Sequence, residues 1–214
     1  MNLADALRHL PIRAGTPDDY SALKHHHYRS GRPGAITQVW AIDAPGQPLA
    51  PRWARICGDP GPGTPSPPAP AVPEVAAVLT VSLPHLACRL RSYATRNRYG
   101  THLHPTQRAW LLNREVRCIS RVVVDPRFRG LGLAVRLIRH ALNHAHVPFV
   151  EALAAMGRVN PFFERAGMTR HDPTPALSGR CADAADRPLY FLHHRPRPAL
   201  DAGAPGPDPD RNQL

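Results

Sequence analysis

A glycine-bearing turn is the part of the sequence whose residue types are best suited to chemistry. Residues 127–132 read RFRGLG, with the β-branched run VVVDP directly before them and the stretch LAVRLIRHALN directly after. Glycine adopts positive φ and lets the backbone approach a ligand closely, while the first turn of a helix directs free N–H groups and its positive dipole end to the same point. The turn is therefore predicted to bind an anion such as a pyrophosphate.

Two other phosphate-binding motifs do not fit this turn. A P-loop requires Lys followed by Ser or Thr after its last glycine, and this chain has Leu133 and Ala134 there. A dinucleotide-binding fingerprint requires a third glycine and an acidic residue at the end of the next strand. A glycine-rich turn without any ligand is the alternative that pattern alone leaves open.

A basic segment at residues 86–121 holds eight arginines and one acidic residue, Glu115, with Tyr93, Tyr99 and Trp110 between them. Arginine binds phosphate through a two-pronged fork, and an aromatic ring offers a stacking surface for an unpaired base. The formal net charge of +11 also points to an anionic partner. Nucleic acid is thus a possible partner of this segment, and a solvated face with core aromatics is the alternative.

Composition limits the remaining classes of protein. No run of eighteen apolar residues and no secretory signal pattern is present, so we expect a cytoplasmic protein without a membrane partner. The four cysteines lack CxxC spacing and the scattered histidines form no clear ligand set, so no metal is predicted. A run of three histidines ends at His27 and Tyr28, where a solvated surface is one interpretation.

The chain is long enough for one α/β core. We expect a single domain over residues 1–194, with a Pro/Gly-rich insert at about 58–73 and a basic insert at about 86–114, followed by a disordered Pro-rich tail at 195–214. The hydrophobic patterns predict a strand near Ile12 and then, in order, these elements. They are a helix at 17–28, a β-hairpin of strands 37–42 and 75–83, a helix at 105–113, a strand at 116–124, a helix after the turn, a strand at 148–153, a helix at 160–166 and a strand at 188–193.

The stretch VVVDPRFRGLGLAVRLI resembles the coenzyme A signature of the GNAT N-acetyltransferase superfamily, in which R/Q-x-x-G-x-G/A follows a strand ending V-x-P. Arg127, Gly130 and Gly132 stand at the motif positions. Downstream, NPFFERAGM resembles the helix that ends the family's core and contacts the pantetheine arm. The resemblance covers roughly residues 116–170 and implies an α/β (α+β) fold with a mixed, centrally splayed β-sheet flanked by helices.

The resemblance further implies an acyltransferase that moves an acetyl group from acetyl-CoA, or another acyl group from its CoA ester, to an amine. The acyl-CoA would lie where strands 116–124 and 148–153 splay apart, with the oxyanion held by a strand amide near Val123. The cofactor-binding residues that it implies are Val122, Val123, Val124, Arg127, Phe128, Arg129, Gly130, Leu131, Gly132, Leu133, Ala134 and Asn160. Many relatives place a proton-donating tyrosine four residues before the helix-ending glycine, and this chain has Phe163 there.

A second resemblance concerns the acceptor. His27 and Tyr28, together with Arg121, are similar in placement to residues of the Mom type of DNA-modifying GNAT relative, and Glu151 is the nearby acid. These four are the candidate catalytic residues. The resemblance implies a nucleobase-modifying enzyme as an alternative function, and a non-catalytic nucleic-acid-binding module is the second alternative.

Overall fold

Seven strands form one mixed β-sheet in the computed structural model, which describes residues 9–27, 33–44, 74–172 and 188–195. The expected insert at about 58–73, Tyr28 and the tail beyond residue 195 lie outside the described residues. The strands are β1 (Ile12–Ala14), β2 (Ile36–Asp43), β3 (Val75–Ser82), β4 (Val116–Val124), β5 (Phe149–Ala154), β6 (Thr169–His171) and β7 (Leu189–His194). Their order across the sheet is β1-β2-β3-β4-β5-β7-β6.

Five α-helices accompany the sheet in the described part of the chain. They are α1 (Pro17–Leu23), α2 (Arg89–Ala94), α3 (Pro105–Glu115), α4 (Leu133–Asn143) and α5 (Phe162–Arg165). None of the described helices is long and apolar enough to cross a membrane.

Helix α1 begins where the sequence predicts and ends earlier. Thr16 is the N-cap, Pro17 occupies the first helical position, and the Thr16 N–H donates to Asp19 at 2.7 Å. The α-helix ends at Leu23 and a 3₁₀ turn continues to His26, after which His27 is extended, with ψ 133°. The predicted helix to Tyr28 was therefore too long, because the backbone leaves the helical region within the histidine run.

The predicted β-hairpin is confirmed. β2 and β3 pair antiparallel with Trp40 opposite Leu79, and β3 continues antiparallel to β4 with Val78 opposite Val123. All eight residues of β3 are buried, as expected for a strand covered on both faces.

A helix covers each face of the sheet. Leu133, Leu137 and Ile138 of α4 are almost fully buried and join Ile42 and Leu79 in the larger core cluster. On the opposite face, Tyr20 and Leu23 of α1 pack with Val39, Val78 and Val123. The predicted GNAT-like mixed fold is thereby confirmed.

The sequence did not predict two short elements. Helix α2 has only six residues and ends where Arg96 and Asn97 take positive φ, at 50° and 60°. Strand β6 has three residues and pairs with β7. Elements this short carry too few periodic positions to be recognised.

The sheet opens between its two central parallel strands. β4 and β5 pair from Val116 opposite Phe149 to Ile119 opposite Ala152, and no further. On its other edge β4 has a register shift, since Thr80 lies opposite Arg121 and Val81 opposite Ile119, which leaves Ser120 as a bulge. A bulge bends its strand. The predicted splay of these strands thus begins at Ser120.

Candidate functional site

A cleft of about 490 Å³ lies where β4 separates from β5. It is bounded by the second half of β4, the turn before α4, the start of α4 and the region of α5. Its lining residues are His26, His27, Val122, Val123, Val124, Phe128, Arg129, Gly130, Gly132, Leu133, Ala134, Val135, Asn160, Pro161, Phe162 and Arg165. Most of the residues expected to bind the cofactor are therefore brought together on one cavity.

The edge of β4 that faces the cleft presents alternate peptide groups. The Asp125 N–H donates to the Ala76 carbonyl of the neighbouring chain segment at 3.0 Å, which fixes the direction of alternation along the strand. Val123 then directs its N–H and C=O toward β3, while Val122 and Val124 direct theirs toward the gap. Consistently, the Val124 carbonyl accepts from Arg129 Nε at 3.2 Å. The peptide groups of β4 that face the cleft are therefore those of Val122 and Val124, the neighbours of Val123, near which the oxyanion is expected.

The start of α4 supplies a second set of peptide groups. Gly130 and Gly132 have φ of 83° and 79°, which side-chain-bearing residues rarely adopt, and Gly132 is the N-cap. The first intrahelical bond runs from Arg136 N–H to the Gly132 carbonyl at 3.1 Å, so the N–H groups of the three residues before Arg136 have no acceptor within the helix. A Cβ built on either glycine meets no atom within 4 Å, which leaves open space above these amides.

Arg127 points away from this cleft. Its N–H and Nε donate to Asp125 Oδ1 at 2.8 and 3.0 Å, and Nη2 donates to Glu74 at 2.8 Å. Burial raises the pKa of Asp125, but these hydrogen bonds outweigh it and lower the pKa below its ordinary value. Arg127 lines a neighbouring cavity of about 690 Å³ instead. Arg127, expected to bind the cofactor, is thus not among the cleft-lining residues, and its hydrogen bonds tie the turn to Asp125 and Glu74.

Phe128 and Leu131 also differ from the expectation. The Phe128 N–H already donates to the Asp125 carbonyl at 2.9 Å, so that amide is not available to a ligand, although the residue lines the cleft. Leu131 packs against the core and does not line the cleft. The Arg129 N–H donates to the Pro126 carbonyl at 3.4 Å, so the amides that remain for a ligand begin at Gly130 and end at Val135, next to the expected end at Ala134.

Two basic groups stand at the mouth of the cleft. Arg129 and Arg165 are both exposed and line it, one from the turn and one from α5. Sequence reasoning identified the helix of Arg165 but selected only Asn160 from it. A cation one turn after Asn160 was the signal that could have found Arg165.

Of the four candidate catalytic residues, the three that the structure describes do not all line the cleft. His27 lines the cleft and Tyr28 is outside the described residues. Arg121 is partly buried on β4 beside the bulge, with Nη1 donating to the Ser120 carbonyl at 2.7 Å, and is not among the cleft residues. His26, which sequence reasoning did not select, lines the cleft as well, and burial together with the charge of His25 lowers its pKa.

Glu151 is held in a buried ion pair. Arg91 donates to its two carboxylate oxygens through Nε and Nη2, both at 2.7 Å, and the Tyr190 hydroxyl donates at 2.8 Å. The side chains of Arg91 and Glu151 are 2% and 1% exposed. Burial opposes the charge of Arg91, but the hydrogen bond and charge of Glu151 outweigh it and raise the pKa of Arg91, while burial raises the pKa of Tyr190. Glu151 does not line the cleft, so its expected catalytic contact is not found there.

Phe163, which stands where many GNAT relatives have a tyrosine, faces the core. It is 5% exposed and stacks on Phe191 with ring centroids 5.0 Å apart, and the neighbouring Phe162 lines the cleft in its place. Among the described residues no group of three or more His, Cys, Asp or Glu side chains could hold a metal ion.

Comparison with known proteins bears on this site. Residues 97–168, which contain β4, the turn, α4, β5 and α5, match the sequence model described as the Acetyltransferase (GNAT) family. The predicted relationship to the GNAT superfamily is confirmed. The transferase class expected from the sequence is the class of that family, and the GNAT segment includes most of the cleft. No curated protein matches the sequence.

Three solved structures are similar in overall shape. One is a GNAT family N-acetyltransferase from Escherichia coli in complex with CoA, with a TM-score of 0.43 and 11% identity over 86% of this chain and 81% of that chain. Another is a mutant of spermidine N-acetyltransferase from Vibrio cholerae, with a TM-score of 0.44 and 8% identity over 86% of this chain and 92% of that chain. A third is a KacTA-DNA complex, with a TM-score of 0.38 and 14% identity over 86% and 92%. At these scores the similarities carry no argument about substrate, and none supports the Mom-type resemblance.

Proposed function

We propose that this protein is an acyl-CoA-dependent N-acyltransferase that transfers an acetyl group from acetyl-CoA to an amine. The observation that carries the proposal is that two sets of peptide groups face one cleft. One set lies on the open edge of β4 and the other at the start of α4, and a pantetheine arm with its pyrophosphate requires both kinds of contact. Acyl-CoA is a substrate in this proposal, so each turnover binds acyl-CoA and releases CoA.

The pyrophosphate would accept hydrogen bonds from the amides of residues 130–135. The open space above Gly130 and Gly132 supports this placement, because phosphate oxygens need close access to backbone N–H groups. Arg129 and Arg165 add two exposed positive charges at the same mouth. Asn160 lines the same cleft and would contact the pantetheine arm.

The pantetheine amides would pair with the gap-facing peptide groups of Val122 and Val124, where the Val124 carbonyl already accepts one hydrogen bond from Arg129 and can accept a second. This pairing extends β4 on the side where β5 has turned away, and it directs the thioester toward the bulge at Ser120. The acceptor nitrogen attacks the thioester carbonyl carbon. The oxyanion that forms accepts a hydrogen bond from the Val122 N–H. The carbon–sulfur bond then breaks, the amide product keeps the acetyl group, and CoA leaves as the thiolate.

His26 and His27 line the cleft and are the side chains that would remove a proton from the acceptor amine. Burial and the charge of His25 lower the pKa of His26, which favours the neutral imidazole, the form that accepts a proton. None of the described residues that line the cleft carries a hydroxyl, so water protonates the departing thiolate in this proposal.

Calorimetric titration with acetyl-CoA tests the proposed site. We expect Gly130→Asp to weaken binding by tenfold or more (about 1.4 kcal/mol), because it places a carboxylate in the anion cradle. Gly167→Asp is the matched control, since Gly167 also has positive φ (100°) and open space around its Cβ position but does not line the cleft. Equal effects of the two substitutions, or no binding by the unsubstituted protein, would contradict the proposal.

Transfer itself requires a separate measurement. Release of free CoA thiol in the presence of a panel of primary amines should exceed the hydrolysis seen without amine. An unsubstituted protein that binds acetyl-CoA and yet releases thiol at the same rate with and without every amine would leave binding intact and refute amine transfer for that panel.

A further inference from the structure

Two arginines flank an aromatic side chain of α2 in the sequence. Arg89 and Tyr93 are spaced at i and i+4 on the helix, Arg96 follows two residues after its end, and all three side chains are exposed, with Tyr93 at 51%. The inward face of the same helix buries Arg91 against Glu151. The ion pair thus fixes which side of α2 faces solvent.

Helix α3 repeats the combination. Trp110 is 60% exposed, and the Arg114 guanidinium lies 5.2 Å from the centre of its ring. A tryptophan of this exposure on a short helix is uncommon for a residue that serves only packing. One face of the indole remains available beside a positive charge.

The one acidic residue of the segment does not neutralise these arginines. Glu115 accepts from Arg98 at 2.7 and 2.8 Å and from the Tyr99 hydroxyl at 2.8 Å. Within the described residues, Arg89, Arg96 and Arg114 make no ion pair. Their charge is therefore available to a partner.

The same hydrogen bonds connect the two helices. Arg98 and Tyr99 belong to the loop that follows α2, and Glu115 is the last residue of α3, so the bonds hold the end of one helix near the end of the other. Arg96 and Arg114 are close neighbours in sequence of these bonded residues. These bonds therefore hold the C-terminal ends of the two helices near each other.

We propose that the exposed faces of α2 and α3 form a docking surface for single-stranded nucleic acid. Arg89, Arg96 and Arg114 would bind phosphates, and unpaired bases would stack on Tyr93 and Trp110. An acidic protein would use the arginines but would have no requirement for two solvent-facing rings. The proposal does not depend on the acyltransferase function, since none of these residues lines the cleft.

Fluorescence anisotropy with labelled twelve-nucleotide dT and rU strands tests the proposal, and the two strands separate DNA from RNA as the source. The combined variant Tyr93→Ala with Trp110→Ala should weaken binding by about tenfold or more, because stacking on an aromatic side chain is sequence-tolerant and strong. Val159→Ala with Arg170→Ala is the control, since Val159 is 71% exposed and Arg170 is an exposed arginine outside the segment. Thermal unfolding of each variant confirms that it folds.

The salt dependence supplies a second readout. Replacing Arg89 and Arg96 by alanine should reduce the steepness of the slope of log affinity against log salt concentration by about 1.4. The reason is that each phosphate contact on a single strand contributes about 0.7 to that slope. Three results would overturn the proposal. The first is absence of binding at about 50 mM salt. The second is unchanged affinity of the aromatic variant. The third is equal affinity for a duplex of the same length together with full competition by polyglutamate.

Discussion

Ile119 of β4 and Ala152 of β5 are the last pair of residues to lie opposite each other before the two central strands separate. From the next residue, Ser120, β4 continues alone on this side and its peptide groups face an open cleft. Four pairs of residues below the cleft hold the two strands together at its base. A fixed gap of this kind can accept an extended ligand without breaking sheet hydrogen bonds.

Substitution of Gly132 separates backbone strain from ligand access. Gly132→Ala should lower the free energy of unfolding by about 1–2 kcal/mol, since φ is 79° and a Cβ there meets no protein atom. Gly132→Asn should cost less, because asparagine tolerates the left-handed region. Both variants should weaken acetyl-CoA binding, and a loss of binding that follows stability alone would argue against close approach of the ligand. Urea unfolding and calorimetry provide the two measurements.

Removal of the Glu151 charge should damage the fold more than the chemistry. Glu151→Gln leaves the charge of Arg91 buried with a neutral partner, and breaking a buried pair in this way costs about 3–5 kcal/mol. The double variant Arg91→Met with Glu151→Leu should recover part of that loss. Denaturant midpoints and turnover should be measured on the same preparations. A Glu151→Gln protein of unchanged stability but no turnover would restore the catalytic role expected from the sequence.

Acid should remove a contribution to stability from Asp19. Hydrogen bonds from Arg13, at 2.8 and 2.9 Å, lower the pKa of Asp19 in the folded protein and outweigh the opposite effect of burial. A carboxyl with a lowered folded pKa contributes stability above its unfolded pKa of about 3.9 and loses it as the pH falls through the folded pKa. At pH 7 the Asp19→Asn variant should therefore unfold at a lower urea concentration than the unsubstituted protein. The difference between the two urea midpoints should shrink below about pH 4, which is close to the unfolded pKa.

The exposed Asp18 in the same helical turn provides the control for that measurement. Asp18→Asn should shift the urea midpoint less than Asp19→Asn at pH 7, because no ion pair is lost. The difference in urea midpoint between Asp19→Asn and the unsubstituted protein should depend on pH. A difference that stays constant from pH 7 to the acid limit would show that Arg13 does not act through the ionised carboxylate.

Restoring the tyrosine that many GNAT relatives carry should not increase turnover. Phe163→Tyr would place a hydroxyl against Phe191 in a site that is 5% exposed. A buried hydroxyl without a partner costs about 1–3 kcal/mol, so thermal stability should fall while kcat stays at or below its original value. A rise in kcat, followed by thiol release, would show that position 163 reaches the leaving group.

Much of the fold could be predicted because its signals are local. The β-branched run of β4 and the helical spacing of Leu133, Leu137 and Leu142 each define an element within a dozen residues. Proline and threonine at 16–17 fixed the start of α1 for the same reason. The predicted ends of elements were less accurate, as with the helix that ends at Leu23. The histidine run has no hydrophobic periodicity that would distinguish helical from extended backbone.

The candidate site was predictable only in part. The glycines at 130 and 132 predict positive φ because they lack a side chain, and both are found in that conformation. Arg127 shares their motif, yet it turns toward Asp125 and Glu74, and the latter lies more than fifty positions earlier in the chain. No local pattern records such a partner.

The sequence by itself determined that a helix with a glycine-bearing start follows a buried strand, since backbone freedom and hydrophobic period are properties of neighbouring residues. Only the tertiary structure decided which peptide groups of β4 face the cleft, because their direction depends on register against β3. It also decided the place of Glu151, whose charge is matched by Arg91 from sixty residues away. Contacts of that range depend on how the whole sheet assembles, and no short stretch of the chain contains them.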